Sequence, residues 1–279
     1  MPDYILKFEK NVHTALWGEE QWLVSVHPSG PVTIANGPLA GKSLAEVCPD
    51  FPVLVKVIDA KRRLSVQVHP NERTAPATGG EPKTEMWCML DDGVIYAGLK
   101  PGVRAGDVAA AVPEGSFENL MVKHNARKGD VFFIPGGLVH AIGDGVRLFE
   151  LQQSSNTTYR LYDWGRVDAE GRPRELHVEK SLATIDYSLA APVAQKEADC
   201  PFFSFRQIAV AGRVDMAGEK AYKVFFVEDG EAVASCEAGG VALRAGECAL
   251  VPPGVKCAVE SVNARLFVAR AAGRAPRLS

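Results

Sequence analysis

The sequence predicts a mainly β protein, folded as two successive barrels with a few short helices. Three observations lead there. The 279 residues include 26 Gly and 18 Pro, a density of turn formers that suits many short strands. The apolar segments are short runs closed off by those turn residues, and helical signals are few. A turn frame also occurs twice. Gly129-Asp-Val-Phe-Phe-Ile-Pro135-Gly-Gly137-Leu-Val-His140 has the spacing G-x5-P-x-G-x2-H, and Gly246-Glu-Cys-Ala-Leu-Val-Pro252-Pro-Gly254-Val-Lys-Cys257 repeats it with Cys in the final place. Such a frame is a strand ending in a Pro-Gly turn that throws its last residue back toward a barrel interior.

Strands are expected at Trp22–His27, Pro31–Ala35, Val53–Ile58, Leu64–His69, Glu85–Leu90, Val94–Ala97, Val131–Ile134 and Arg147–Gln152. Ser43-Leu-Ala-Glu46 has the form of a capping box and opens one or two helical turns. Residues 103–123 can hold two small helices, split by Pro113-Glu-Gly115, and Leu176–Ile185 is a third candidate. From Leu189 to Lys196 aromatic and charged residues thin out, as in a linker. Strand-like runs then resume at Phe202–Ala209, Lys223–Val227, Ala232–Ser235, Val241–Leu243, Cys248–Val251 and Arg265–Ala269. The expected domains are therefore 1–188 and 189–279.

Composition narrows the function. Apolar residues are 47% and charged residues 23%, ordinary for a folded protein. The net charge of −3, from 31 Lys+Arg and 34 Asp+Glu, offers no general attraction to nucleic acid or to an anionic membrane. No apolar run is long enough to span a bilayer, and the amino-terminal residues lack the form of a secretion signal. Six scattered cysteines without a CxxC pair suit reduced thiols in a cytoplasmic protein.

One constellation carries chemistry. Leu64-Ser65-Val66-Gln67-Val68-His69 alternates with a period of two, so Ser65, Gln67 and His69 share one face and Leu64, Val66 and Val68 the other. Lys83 and Glu85 likewise share a face, and His140 arrives from the Pro-Gly turn. Two imidazoles and a carboxylate, with a Gln oxygen in reach, make a borderline-hard site. Their net charge of about −1 leaves a divalent ion one residual positive charge and an open position. His13, His27, His124 and His177 lack such company and are read as structural.

The turn frame resembles the second cupin motif. The segments Leu64-Ser-Val-Gln-Val-His-Pro70, Lys83-Thr-Glu-Met-Trp87, Gly129 to Gly143, Glu150-Leu-Gln-Gln153, Thr158-Tyr-Arg-Leu-Tyr-Asp163 and Arg174-Glu-Leu-His177 resemble type I phosphomannose isomerases of the short bacterial form. The resemblance covers roughly residues 19–187, and the weaker carboxyl-terminal barrel fits the second cupin of that family. It implies two cupin (jelly-roll) barrels and one zinc ion per chain, held by Gln67, His69, Glu85 and His140. It also implies Arg160 as the catalytic arginine, Lys83 and Ser65 in the substrate pocket, Glu150 as a pocket carboxylate and Glu20 as a further pocket residue. Trp17-Gly18 runs straight into the Glu20-Gln-Trp22 strand, a shorter lead than the family pattern, and the large helical insertion of longer relatives is absent. Cys257 stands where the first frame has His, so the second barrel is expected to hold no metal.

The implied activity is the interconversion of mannose 6-phosphate and fructose 6-phosphate through an enediol, by a monomer or small homo-oligomer whose partner is the sugar phosphate. A divalent Lewis acid stabilises the developing oxyanion, and a base moves the proton. Glu150, Lys83 and metal-bound water all remain open as that base. Two His and a carboxylate also suit Fe(II) oxygen chemistry, and a cupin can bind a sugar without turning it over. Gln67, Lys83 and Arg160 favour an anionic, oxygen-rich substrate over O2.

Overall fold

The computed structural model describes residues 1–168 and 170–272. Its strands are β1 (Val12–Ala15), β2 (Gly18–Val24), β3 (Val53–Ala60), β4 (Val66–Val68), β5 (Glu85–Met89), β6 (Gly93–Leu99), β7 (Met121–Ala126), β8 (Val131–Ile134) and β9 (His140–Ile142). They continue with β10 (Val146–Gln153), β11 (Tyr159–Tyr162), β12 (Ala198–Asp199), β13 (Ser204–Met216), β14 (Ala221–Asp229), β15 (Glu231–Cys236), β16 (Gly239–Arg244), β17 (Cys248–Val251) and β18 (Cys257–Ala272). The helices are α1 (Leu44–Val47), α2 (Ala75–Thr78), α3 (Ala105–Glu114) and α4 (Val178–Thr184). Among the described residues, no helix is long and apolar enough to cross a membrane.

Contacts divide the chain into two units, one of residues 13–20 and 57–195, the other of residues 1–12, 21–56 and 196 onward. A single boundary at 188/189 does not describe this grouping, because amino-terminal segments pair with carboxyl-terminal strands. Leu6 and Leu250 exchange both backbone hydrogen bonds at 2.9 Å. Tyr222 Oη donates to Asp50 Oδ1 at 2.7 Å.

The unit built on residues 57–195 has two sheets, ordered β1-β2-β3-β10-β5-β8 and β11-β4-β9-β6-β7. Trp87, Met89 and Leu148 of the first meet Ile95, Ala97 and Ile142 of the second in one apolar cluster, so the sheets face each other as a flattened barrel. The outer face of the second sheet is covered by helices. Val66, Val68, Tyr159 and Leu161 pack with Val108 and Ala111 of α3 and with Val178 and Leu182 of α4. Val66 and Val68 thus point outward, and the alternation of β4 turns Gln67 inward. Leu64 departs from the expected pattern. It precedes the short β4 and joins the inner cluster instead.

The other unit is ordered β12-β13-β18-β14-β17, with β15 paired to β16 and β18. Phe225, Val227, Ala249, Val251, Leu266 and Val268 fill its interior. β13 and β18 run 13 and 16 residues, well past the expected Phe202–Ala209 and Arg265–Ala269. From Ala211 to Met216 every residue is exposed or half-buried, so no apolar run marks that extension.

Both turn frames do the same structural job. β8 leads through Pro135-Gly136-Gly137 to His140, which opens β9, and β17 leads through Pro252-Pro253-Gly254 to Cys257, which opens β18. Gly137 and Gly254 take φ of 99° and 85°, a left-handed turn that glycine enters without steric cost.

Other expectations shift in detail. The strand expected at Trp22–His27 lies at Gly18–Val24, and Pro31–Ala35 forms only isolated bridges at Thr33 and Ile34. Residues 103–123 hold one helix, a 3-10 turn at Phe117–Leu120 and the start of β7. Pro113 does not split the helix. It sits in the last turn of α3, where its missing N–H forfeits one bond while Val108 and Ala111 hold the helix to the sheet.

Candidate metal centre

Strand register assembles the site from residues distant in sequence. In the second sheet, Arg160 of β11 opposes Gln67 of β4, which in turn opposes His140 of β9. Directly opposed residues share a face, so Arg160, Gln67 and His140 form a row. In the facing sheet, Glu85 of β5 opposes Gln152 of β10, and Trp87 opposes Glu150. The period of two carries Lys83, Glu85 and Trp87 onto one face. His69 follows the last residue of β4 and is buried, as are Lys83, Glu85, His140 and Glu150.

Three groups converge. His69 Nε2 lies 3.2 Å from His140 Nε2 and 3.4 Å from Glu85 Oε2, and His140 Nε2 lies 3.5 Å from Glu85 Oε1. The other ring nitrogens are committed. His69 Nδ1 is 2.9 Å from Thr157 O, and His140 Nδ1 is 2.9 Å from Leu138 O. A carbonyl oxygen only accepts, so each Nδ1 carries the proton and each Nε2 presents a lone pair. This backbone support is the arrangement that orients imidazole ligands.

Lys83 Nζ sits at the edge of the cluster, 3.1 Å from His69 Nε2, 3.0 Å from Glu85 Oε2 and 3.8 Å from Glu150 Oε1. Despite that ion pair, both Glu85 oxygens are buried without a hydrogen bond of normal geometry. Buried carboxylate oxygens in that state are rare and suit cation coordination.

The electrostatics agree. Burial, reinforced by the Lys83 ammonium, lowers His69 to about 3, and burial also lowers His140. Both rings are therefore neutral, as metal ligands must be. Burial alone would raise Glu85, but Lys83 and His69 outweigh it and hold the carboxyl well below its ordinary range. His69, Glu85 and His140 offer ligand atoms within 4.8 Å of one another. Two neutral imidazoles and a carboxylate suit a divalent ion of borderline hardness, and the register sets Gln67 beside them.

The remaining sequence candidates divide. Ser65 is buried just before β4. Arg160 is half-buried, its Nη1 donating to Glu175 O at 2.8 Å and its backbone N–H to His177 Nδ1 at 3.1 Å, while Nε is buried without a hydrogen-bond partner. Burial and then the neighbouring Arg174 lower its guanidinium below the ordinary value. Arg166 and Arg174 share the buried Asp163, with Arg174 Nε 2.7 Å from Oδ2. Glu20 lies on β2, three strands from β5 and so roughly 14 Å to the side of Glu85.

Two further residues enter the site. Trp87 is fully buried, and its Nε1–H donates to Glu150 Oε2 at 3.1 Å. Gln152 holds Ser155 O through Nε2 at 2.6 Å, and its buried Oε1 has no hydrogen-bond partner. Extending each alternation by two residues, from Glu85 to Trp87 and from Glu150 to Gln152, would have found both.

Residues 9–84 match the family model described as phosphomannose isomerase type I, catalytic domain. Over 265 residues the chain is 32% identical to the mannose-6-phosphate isomerase of Streptococcus mutans, covering 85% of this chain and 83% of that protein. The chain belongs to the type I phosphomannose isomerase family. Membership makes it an isomerase, and other members agree with the assignment. The mannose-6-phosphate isomerase ManA of Bacillus subtilis is 32% identical over 242 residues, 76% of each chain. A crystal structure of the Bacillus subtilis mannose 6-phosphate isomerase superposes with a TM-score of 0.86 at 25% identity, over 96% of this chain and 99% of that one. A zinc-bound mannose 6-phosphate isomerase shares the fold at a TM-score of 0.71 and 15% identity, over 96% of this chain and 99% of that one. The mainly β, cupin-type architecture expected from the sequence is thus that of the phosphomannose isomerases.

Proposed function

We propose that this chain interconverts mannose 6-phosphate and fructose 6-phosphate through an enediol, with one zinc ion per chain held by Gln67, His69, Glu85 and His140. One observation carries the reading: two buried, neutral imidazoles point Nε2 lone pairs at each other across 3.2 Å, beside a buried carboxylate. Lone pairs so close repel; the Lys83 ammonium, 3.1 Å from His69 Nε2, relieves that ring, and a divalent ion in reach of both rings and the carboxylate would relieve all three groups. The relatives named above are mannose-6-phosphate isomerases, and the zinc-bound neighbour of the same fold supports zinc as the ion.

Zinc bound there supplies a Lewis acid that polarises the substrate's carbonyl and hydroxyl oxygens without changing its own oxidation state. Moving a proton between C1 and C2 then needs a base inside the barrel. Glu150 is that base in this proposal. It is buried, fixed by the Trp87 N–H, and within 3.8 Å of Lys83, whose ammonium is placed to donate to the oxyanion that develops. Arg160 holds the phosphate. It lies in the same row as His140, two strands away or about 10 Å, a span that suits a hexose phosphate lying along the sheet. Its Nε–H has no other hydrogen bond, and Arg166 and Arg174 against the single Asp163 leave the neighbourhood positive. Ser65 is buried just before β4, and Glu20, three strands to the side of Glu85, is given no part in the proposed chemistry.

A coupled assay that supplies mannose 6-phosphate and follows fructose 6-phosphate, together with elemental analysis, tests the proposal. About one zinc per chain and turnover are expected. Arg160→Ala should abolish most turnover with zinc retained, whereas His140→Ala should lose both. Predominant iron with O2 uptake, or tight sugar phosphate binding without turnover, would replace this reading.

A further inference from the structure

The turn frame that ends in His140 in one unit ends in Cys257 in the other. Cys257 opens β18, whose first residues pair with β13 on one edge and with β15 on the other. Register sets it directly opposite Met216 on one side and Cys236 on the other. Opposed residues on adjacent antiparallel strands share a face with Cα atoms about 5 Å apart, so three sulfur side chains stand in a row. All three turn inward. Cys257 is buried in the apolar cluster of this unit, and Met216 and Cys236 pack against the same cluster. The three also line one open cleft of about 610 Å³, shared with the charged Arg213, Asp215, Glu237 and Lys256. Both thiols are free.

We propose that Met216, Cys236 and Cys257 form a binding site for a soft cation of the copper(I) class. Two thiols and a thioether are the donor set that selects such an ion over hard or borderline metals. Methionine's unbranched side chain can reach across the extra strand spacing. Burial pushes the Cys257 thiol up, partly offset by the Lys223 ammonium, so the group stays protonated until a thiophilic ion displaces the proton. The sequence expectation that this barrel holds no metal rested on the missing histidine. The sulfur row becomes visible only with the register of β18 against both neighbours.

The test uses the full chain equilibrated with zinc and titrated anaerobically with Cu(I) against a chromogenic Cu(I) chelator. About one equivalent should be taken from the chelator, with the ultraviolet absorption of a copper–thiolate bond. Cys236→Ser, at a half-buried position, should weaken binding ~100-fold, the share of one strong ligand. Met216→Leu, which conserves volume, should weaken it ~10-fold. Cys200→Ser, outside the row, should bind as the parent does. Retention of parental affinity in Cys236→Ser, loss in Cys200→Ser, or failure of the parent to compete with the chelator overturns the proposal. None of these readouts depends on isomerase activity.

Discussion

Replacing Glu85 with glutamine keeps the size of a fully buried side chain and removes its charge. Two consequences can be weighed from the distances. At an effective dielectric of about 20, Lys83 Nζ at 3.0 Å from Glu85 is attracted by about 5.5 kcal/mol, and at 3.8 Å from Glu150 by about 4.4 kcal/mol. Breaking a buried pair costs ~3–5 kcal/mol when the remaining charge is stranded. Here Glu150 still faces the ammonium, so the metal-free Glu85→Gln protein should lose about 3 kcal/mol or less and still fold. Metal binding suffers more. If structural zinc sites are worth ~10–16 kcal/mol over four ligands, losing the one anionic ligand should weaken zinc by at least ~100-fold. Chelator competition measures the second effect, and urea unfolding of chelator-treated protein the first, as a midpoint drop of about 1 M. Zinc held by Glu85→Gln as tightly as by the parent would falsify the ligand assignment, whatever happened to stability.

Other outcomes follow from the same geometry. His69 binds its proton at about 3 when folded, against about 6.5 when unfolded, because burial and Lys83 disfavour the charged ring. The unfolded chain therefore takes up the proton first, and metal-free stability should fall as pH drops from about 6.5 toward 3, by up to ~1.4 kcal/mol per unit. A urea midpoint flat across that window contradicts it. Trp87→Phe removes the N–H that fixes Glu150 and should cost about 1–3 kcal/mol in urea unfolding and lower kcat more than it raises KM; unchanged kcat would remove Glu150's positioning from the mechanism. Gly137→Ala should destabilise by about 1–3 kcal/mol, since its φ is 99° and the new Cβ would lie 3.0 Å from Asp186 Cβ. Gly254→Ala, at φ 85° with nothing within 4 Å, should cost less, and equal losses in thermal unfolding would refute the contribution of crowding.

Much of the centre can be read along the chain. The two-residue period of Leu64–His69 is local stereochemistry, so it places Gln67 and His69 together wherever that segment lies, and the Pro-Gly turn before His140 is equally local. The exception, Leu64, marks where the strand stops and the period ceases to hold. Long strands with one wet face, such as β13, escape detection because their alternation carries no apolar run.

The residues read along the chain were enough for the mainly β class, the inward face of the β4 segment, the turn that carries His140 and the three side chains that converge. The pairing of Glu85 with both imidazoles, the grip of Trp87 on Glu150, the place of Glu20 three strands away and the alignment of Met216, Cys257 and Cys236 came with the folded chain. The division has one physical cause. Side-chain direction along a strand follows from neighbouring backbone dihedrals, whereas strand order and register are set by the burial of surfaces contributed by segments far apart in the chain.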